Sequence, residues 1–107
     1  MANPAPLVHT VFFWLTETTD DAGRANFVAG ARALAEAPTV RHCFVGTPAG
    51  TPARAVVDNS FDYSLMLWFD DVAAHDAYQV SEVHQQFVDE QGAKFARVVV
   101  RDTVMAR

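Results

Sequence analysis

Two side chains in the stretch Ala74–Phe87, the phenol of Tyr78 and the imidazole of His84, are the best suited to chemistry in this chain. Ser81 lies between them and has the residue type of a helix N-cap, and Glu82 follows in a first turn, where negative charge is favoured. The spacing after this break predicts a helix whose buried stripe includes or adjoins His84. A desolvated imidazole remains a base near neutral pH, and a phenol can hydrogen-bond a developing enolate. The pair therefore suits acid–base chemistry on a carbonyl compound.

The same side chains also have structural interpretations. His84 could be a core histidine that bonds Tyr78 or a carbonyl, and Tyr78 could be an amphipathic aromatic with its hydroxyl at a rim. His9 alternates with Val11 and Phe13 in an apolar strand and is predicted to face the helices, where it is either a hydrogen-bonded core residue or a pocket residue. His42 and His75 are predicted to face solvent or an interface.

Other site chemistries lack their sequence signatures. No HExxH motif or paired short ligand spacing occurs, so no metal site is predicted. There is no phosphate loop, dinucleotide fingerprint or GxSxG motif, and no cofactor is predicted. Cys43 is the only cysteine, which excludes an internal disulfide, and its place in a strand favours a small buried hydrophobe over a nucleophile.

Length and charge limit the partners and the compartment. The 107 residues, half of them hydrophobic, predict one domain over residues 1–107, with a core from about 8 to 104 and a tail at 1–7. The net charge of −5 argues against nucleic-acid and anionic-membrane partners. No apolar run has membrane-spanning length, and Met1–Pro6 lacks the basic region of a signal peptide. A cytoplasmic protein is expected.

The elements that must position these side chains follow the order β-α-β-β-α-β, which is the ferredoxin-like α+β pattern. β-branched and aromatic content predicts strands at Val8–Leu15, Val40–Thr47, Tyr63–Phe69, and from Val98 to as far as Val104. A first helix should run from about Asp21 to Ala37, where Pro38 stops it. The second is the helix that breaks at Ser81.

The predicted sheet is apolar on both faces, although two helices can cover only one of them. The face left over is predicted to carry Phe12, Trp14, Val45, Met66 and Trp68. An exposed apolar face of this kind is an association surface. A homodimer is therefore expected, in which two sheets meet face to face around a barrel-like core.

Nearly the whole chain, from about Val8 to Val104, resembles the stress-responsive α/β-barrel (Dabb) family. The resemblance is carried by VHTVFFWL, the helix with Phe27, YSLMLWF, DDVAAHDAYQVSEVHQQF and the closing VVVRD. It implies a dimeric α/β barrel of ferredoxin-like subunits, each with a pocket between its sheet and its helices. The chain departs from the family's HPxH run, because Ser81 and Glu82 stand where the histidine and proline would be.

In family members of the olivetolic acid cyclase type, such a pocket closes a linear polyketide by aldol condensation. The catalytic histidine and tyrosine of those members match His84 and Tyr78, and their pocket histidine matches His9. The resemblance implies a substrate-binding wall formed by Val11, Phe13, Phe27, Val28, Ala31, Leu65, Phe87, Phe95, Val98 and Val100. Position 31 holds a larger residue in the cyclase and alanine here, so substrate shape does not carry over.

Two classes of function follow. In the first, the pocket catalyses acid–base cyclisation or isomerisation of a small apolar or aromatic carbonyl compound. In the second, the protein is a non-catalytic ligand-binding or stress-protective dimer; fold analogy also allows a cofactor-free monooxygenase. An open cavity that contains His84 would favour the first class, and a filled core would favour the second.

Overall fold

A computed structural model describes residues 6–107 of the chain, which form four strands and three helices. The strands are β1 (Leu7–Leu15), β2 (His42–Gly46), β3 (Tyr63–Phe69) and β4 (Phe95–Val104). The helices are α1 (Asp21–Ala33), α2 (Val72–Gln79) and α3 (Glu82–Gln91), and short 3₁₀ turns at Leu34–Glu36 and Gly92–Lys94 follow α1 and α3. The predicted ferredoxin-like α+β fold is confirmed. Most of the predicted tail, residues 1–5, lies outside the described residues.

All four strands belong to one antiparallel sheet in the order β2-β3-β1-β4. Burial alternates strictly along β1, and its buried positions face the helices: Leu7, His9, Val11, Phe13 and Leu15. Residues paired across strands point to the same face. The register therefore aligns Val11 with Leu65 of β3 and Val100 of β4 on the helix-facing side.

Side-chain caps define where the helices begin. The Asp20 carboxylate accepts the backbone N–H of Gly23 at the start of α1, and Asp71 accepts that of Ala74 at the start of α2. Ser81 Oγ accepts the backbone N–H of His84 at 3.2 Å. Each cap satisfies an N–H that has no partner within its helix. The predicted break at Ser81 is confirmed.

The pairing of β2 corrects one prediction about the sheet. Val45 lies opposite Leu65 and so faces the helices, whereas Phe44 lies opposite Met66 on the other side and is 60% exposed. Three consecutive apolar residues, from Cys43 to Val45, carry no alternation that reveals the phase of the strand. Pairing with β3 decides it, and Phe44 takes the place predicted for Val45.

The helix-free side of the sheet is called the outer face here, and it carries Phe12, Trp14, Phe44, Met66 and Trp68. The segment after β2 turns back across part of it. Phe61 packs on Phe12 with ring centroids 4.9 Å apart, and Trp14 Nε1 donates to Ser60 Oγ at 3.1 Å. No helix of residues 6–107 covers the rest. None of the helices in the described chain is long and apolar enough to cross a membrane.

Candidate functional site

A cavity of about 190 Å³ opens between β1, β4 and the α2–α3 pair. Dry protein cavities of about 150 Å³ hold a benzene molecule, so this one has room for a single aromatic ring. Its wall consists of His9, Val11, Phe13, Leu65, Tyr78, Gln79, His84, Phe87, Val88, Phe95, Val98 and Val100. Most of the surface is apolar, and the polar groups lie at a few points, as is typical of small-molecule sites.

The cavity brings together most of the residues expected around a pocket, but not all of them. Phe27 and Ala31 are fully buried in the core behind its wall, and Phe27 packs on Phe13 with ring centroids 5.0 Å apart. Val28 borders a different cavity, beside β2. Gln79 and Val88 also line this cavity, although neither was predicted to be part of a pocket wall.

Strand register places a carboxylate beside His9. Asp102 of β4 is paired with His9 of β1, and its Oδ1 lies 2.5 Å from His9 Nδ1. An ionised carboxylate only accepts hydrogen bonds, so Nδ1 carries the proton and Nε2 keeps its lone pair. Burial lowers the pKa of His9, although the hydrogen bond to Asp102 opposes that effect. His9 therefore remains neutral at neutral pH.

Tyr78 of α2 reaches the cavity with its hydroxyl unpartnered. The residue is 2% exposed, and its ring packs edge-on against that of His84, with centroids 5.0 Å apart. Among residues 6–107, every fully buried side-chain nitrogen or oxygen has a hydrogen-bond partner, whereas the Tyr78 hydroxyl has none. That hydroxyl is therefore accessible from the cavity. Burial raises the pKa of Tyr78, so the phenol stays protonated and can donate.

His84 of α3 borders the same cavity, and its ring packs against Tyr78 without a hydrogen-bond partner among residues 6–107. Its backbone is held by the Ser81 cap, but its imidazole makes no hydrogen bond within the described part of the chain. The structure thus contains no bond from His84 to Tyr78 or to a carbonyl. Burial lowers the pKa of His84, and the neighbouring His9 and His75 lower it further. A neutral imidazole at this position can accept a proton.

His75 corrects the prediction that it faces solvent or an interface. Its side chain is 14% exposed, and its ring lies 5.1 Å from that of His9. Its Nε2 is 3.9 Å from Oδ2 of Asp102. A signal was present, since His75 and Tyr78 are three residues apart and share a helix face. His42 does lie on the outer face, beside Trp68.

Cys43 has the surroundings of a structural thiol. It is half-buried, its Sγ donates to the carbonyl of Ala31 at 3.7 Å, and burial raises the pKa of the thiol. A raised pKa keeps the sulfur protonated and unreactive.

Comparison with known proteins gives one family match. The sequence model described as "Stress responsive A/B Barrel Domain" matches residues 7–105. No curated protein matches the chain.

Solved structures share the fold across nearly the whole chain. The hydroxynitrile lyase from Passiflora edulis is similar with a TM-score of 0.83 and 20% identity, over 96% of this chain and 95% of that one. A Dabb family protein with a ferredoxin-like fold from Mesorhizobium loti has a TM-score of 0.78 and 20% identity, over 96% and 99%. A dimeric ferredoxin-like protein of unknown function from Thermobifida fusca has a TM-score of 0.78 and 14% identity, over 95% and 92%. At these identities the likeness establishes the fold, and activity must be argued from the residues of this chain.

Proposed function

This chain belongs to the stress-responsive A/B barrel (Dabb) family, as the sequence resemblance indicated, and we propose that its cavity is an active site for acid–base chemistry on a small carbonyl compound. The substrate class is apolar or aromatic, because the wall between the polar groups is built from aliphatic and phenyl side chains. The reaction class is enolisation followed by cyclisation or isomerisation, without a cofactor.

One observation carries the proposal. The imidazole of His84 and the hydroxyl of Tyr78 border the same apolar cavity, and neither has a hydrogen-bond partner among residues 6–107. Polar groups that serve only the fold are normally satisfied by protein neighbours. An unpartnered acceptor beside an unpartnered donor leaves both available to a ligand.

The roles follow from protonation state. Neutral His84 takes the proton from the carbon next to the substrate carbonyl, and the electrons of that C–H bond move to the carbonyl oxygen as an enolate. Tyr78 donates its O–H to that oxygen and stabilises the negative charge. The enolate carbon then attacks a second carbonyl of the same molecule, and the alkoxide that forms takes the proton back from His84. Alternatively, an enolate that is conjugated with a C=C bond takes the proton back at its far carbon. The first outcome is cyclisation and the second is isomerisation.

His9 supplies a second acceptor on the β1 wall. Because Asp102 holds the proton on Nδ1, the lone pair on Nε2 is free to accept a hydroxyl of the substrate. Its expected contribution is orientation, with His84 as the base.

The passion-flower lyase suggests a related reaction for the test panel. Its name describes the breakage of a hydroxynitrile. A hydroxynitrile gives a carbonyl compound and cyanide when a base removes its hydroxyl proton and the C–CN bond breaks. The polar groups of this cavity could serve that step as well. Aromatic hydroxynitriles therefore belong beside β-diketones and linear polyketide analogues in a screen.

The substitution His84→Gln tests the proposal. Glutamine keeps the size and the hydrogen bonding of the side chain but is no base, so turnover of a substrate found by the screen should fall about 10²–10⁴-fold. Tyr78→Phe should also lower kcat, while His42→Gln on the outer face should leave it unchanged. Circular dichroism and sedimentation establish that each variant keeps its fold and assembly.

The competing interpretation predicts a different result. In a non-catalytic ligand-binding or stress-protective protein, small aromatic compounds would bind the cavity and leave it unchanged. Binding by a fluorescent apolar probe with no turnover across the panel would favour that interpretation. Full activity in His84→Gln would reject His84 as the base.

A further inference from the structure

We propose that His9, His75 and Asp102 form a binding site for one divalent transition-metal ion, of which zinc(II) suits the donor set best. The site lies beside the cavity and goes beyond the acid–base function proposed above. The metal site does not depend on the cavity being catalytic, because the proposal is based only on the positions of the three ligand side chains.

The ligand atoms come from three elements and meet in a small volume. One atom each from His9 of β1, His75 of α2 and Asp102 of β4 can be chosen so that all lie within 4.8 Å of one another. The two carboxylate oxygens of Asp102 face different rings, with Oδ1 2.5 Å from His9 Nδ1 and Oδ2 3.9 Å from His75 Nε2. Zinc bonds to imidazole nitrogen and carboxylate oxygen are about 2.0–2.2 Å long, so the three side chains must move closer together around one ion. An ion bound at His9 Nδ1 takes the place of the proton that Asp102 holds there, so binding at this nitrogen displaces that proton.

The hydrogen bonds of His75 indicate which of its ring nitrogens carries the lone pair that would bind an ion. Its Nδ1 lies 3.1 Å from Oδ1 of Asp76, which as a carboxylate must accept, so Nδ1 carries the proton. Its Nε2 lies 3.4 Å from the Nε2 amide of Gln79, which can only donate. The lone pair of His75 is therefore on the nitrogen that faces Asp102, and the Gln79 amide must turn away from it when an ion binds. An imidazole held by a carboxylate on its far side is the usual arrangement of a metal-binding histidine.

Burial and charge also suit a cation. His9 is 5% exposed and anchors the site in the core, whereas the Asp102 side chain is 41% exposed and leaves a path for an ion. The ion-pair contacts of Asp102 in the structure are with the imidazoles of His9 and His75, so the three groups bring one carboxylate and two nitrogen ligands together. Two imidazoles and a carboxylate form a donor set that zinc accepts readily.

The absence of a metal motif in the sequence has a simple cause. Metal signatures are recognised by short spacings within one helix or loop, and these three ligands lie far apart in the chain. The pairing of β1 with β4 brings two of them together, and the packing of α2 on the sheet supplies the third.

Metal titration of the full chain tests the site directly. Protein dialysed against a chelator is titrated with CoCl₂, whose visible absorption reports nitrogen and oxygen ligands, and ZnCl₂ is then added in competition. One ion per chain is expected. His75→Ala should abolish tight binding, and Asp76→Asn, which removes only the outer hydrogen bond, should weaken it about 10–100-fold. His42→Ala is the matched control and should bind as the wild type does.

Melting temperatures with and without zinc distinguish a variant that has lost a metal ligand from a variant that has lost its fold. Zinc should raise the melting temperature of the wild type and of His42→Ala, because a ligand that binds only the folded state stabilises it. It should leave the melting temperature of a folded His75→Ala protein unchanged. His75→Gln, which keeps the size of the side chain, should behave like His75→Ala. Wild-type protein that binds no cobalt or zinc, or a His75→Gln variant that binds both with unchanged affinity, would overturn the proposal.

Discussion

At the scale of single residues, burial sets the charge state of the three titratable side chains in the cavity wall, His9, Tyr78 and His84. Desolvation lowers the pKa values of His9 and His84 and raises that of Tyr78, so all three side chains are uncharged at neutral pH. An uncharged imidazole is a base and an uncharged phenol is a donor. The apolar wall thus creates the acid–base pair as well as the space for a ligand.

Stability should fall as the pH drops below about 6.5, the ordinary pKa of histidine. Below this pH the two histidines bind protons in the unfolded chain more readily than in the folded one, because folding lowers their pKa values. The free energy of unfolding therefore decreases as the pH falls through the lowered folded-state pKa values. The carboxyl pKa values of Asp58 and Asp70 are also lowered, but from 3.8, so those groups act only in more acidic solution.

Urea unfolding from pH 8 to pH 5 measures this effect. The wild-type midpoint should decline across the window, and His84→Gln should decline less steeply because one of the two resisting histidines is gone. A wild-type midpoint that stays level between pH 7 and pH 5 would contradict the assignment of neutral, desolvated imidazoles. Turnover should show the same acidic loss, since a protonated His84 cannot accept a proton.

At the scale of elements, α1 and α3 approach each other through a glycine and a buried amide. A Cβ atom at Gly30 would lie 2.6 Å from Nε2 of Gln91, a distance that no relaxed structure keeps. Gln91 is fully buried, and it bonds Oδ1 of Asn26 at 3.0 Å and Nζ of Lys94 at 2.6 Å. The missing side chain of Gly30 therefore makes room for a polar network between the helices.

Gly30→Ala should destabilise the protein despite the higher helix propensity of alanine. The propensity gain is about 1 kcal/mol, whereas displacing the Gln91 amide from its partners costs about 1–3 kcal/mol, which leaves a net loss of about 1 kcal/mol. In a Gln91→Ala background the obstacle is absent, and the same substitution should stabilise by about 1 kcal/mol. Denaturant unfolding of the wild type, the two single variants and the double variant gives both free-energy changes. If Gly30→Ala changes the free energy of unfolding with the same sign in both backgrounds, the steric explanation is wrong.

At the scale of the whole molecule, residues 6–107 leave part of the apolar outer face uncovered. Phe44 is largely exposed and Trp68 partly so, and both lie on the side of the sheet without helices. The structurally similar protein from Thermobifida fusca is described as dimeric. We propose that this chain forms a homodimer through the outer face, since pairing two such faces removes apolar surface from water.

Trp68→Glu should break this assembly, because a carboxylate would be buried without a partner in the interface. Phe44→Glu should act in the same way from β2. Val80→Glu is the matched control, since Val80 is 87% exposed at the junction of α2 and α3 and away from the outer face. Sedimentation velocity at micromolar concentration distinguishes monomer from dimer. A soluble Trp68→Glu dimer of unchanged stability, or a monomeric wild type, would show that the outer face is not the interface.

The sequence by itself determined the features that depend on neighbouring residues. Period-two alternation placed His9 with Val11 on the buried side of β1, and the N-cap type of Ser81 located the helix break ahead of His84. Helix caps and β-strand alternation act within a few residues, so they can be recognised without a fold. The family resemblance extended these local patterns to a ferredoxin-like order and to a pocket between sheet and helices.

Only the tertiary structure decided which distant residues meet. Asp102 reaches His9 because β4 pairs with β1 in one register, and a shift of one residue would turn Asp102 to the other side of the sheet. Likewise, the pairing of β2 with β3 places Phe44, and not Val45, on the outer face. The packing of α2 on the sheet places His75 beside the Asp102 carboxylate. Strand register and helix orientation are set by the joint burial of all the elements. No local pattern in the chain contains that information.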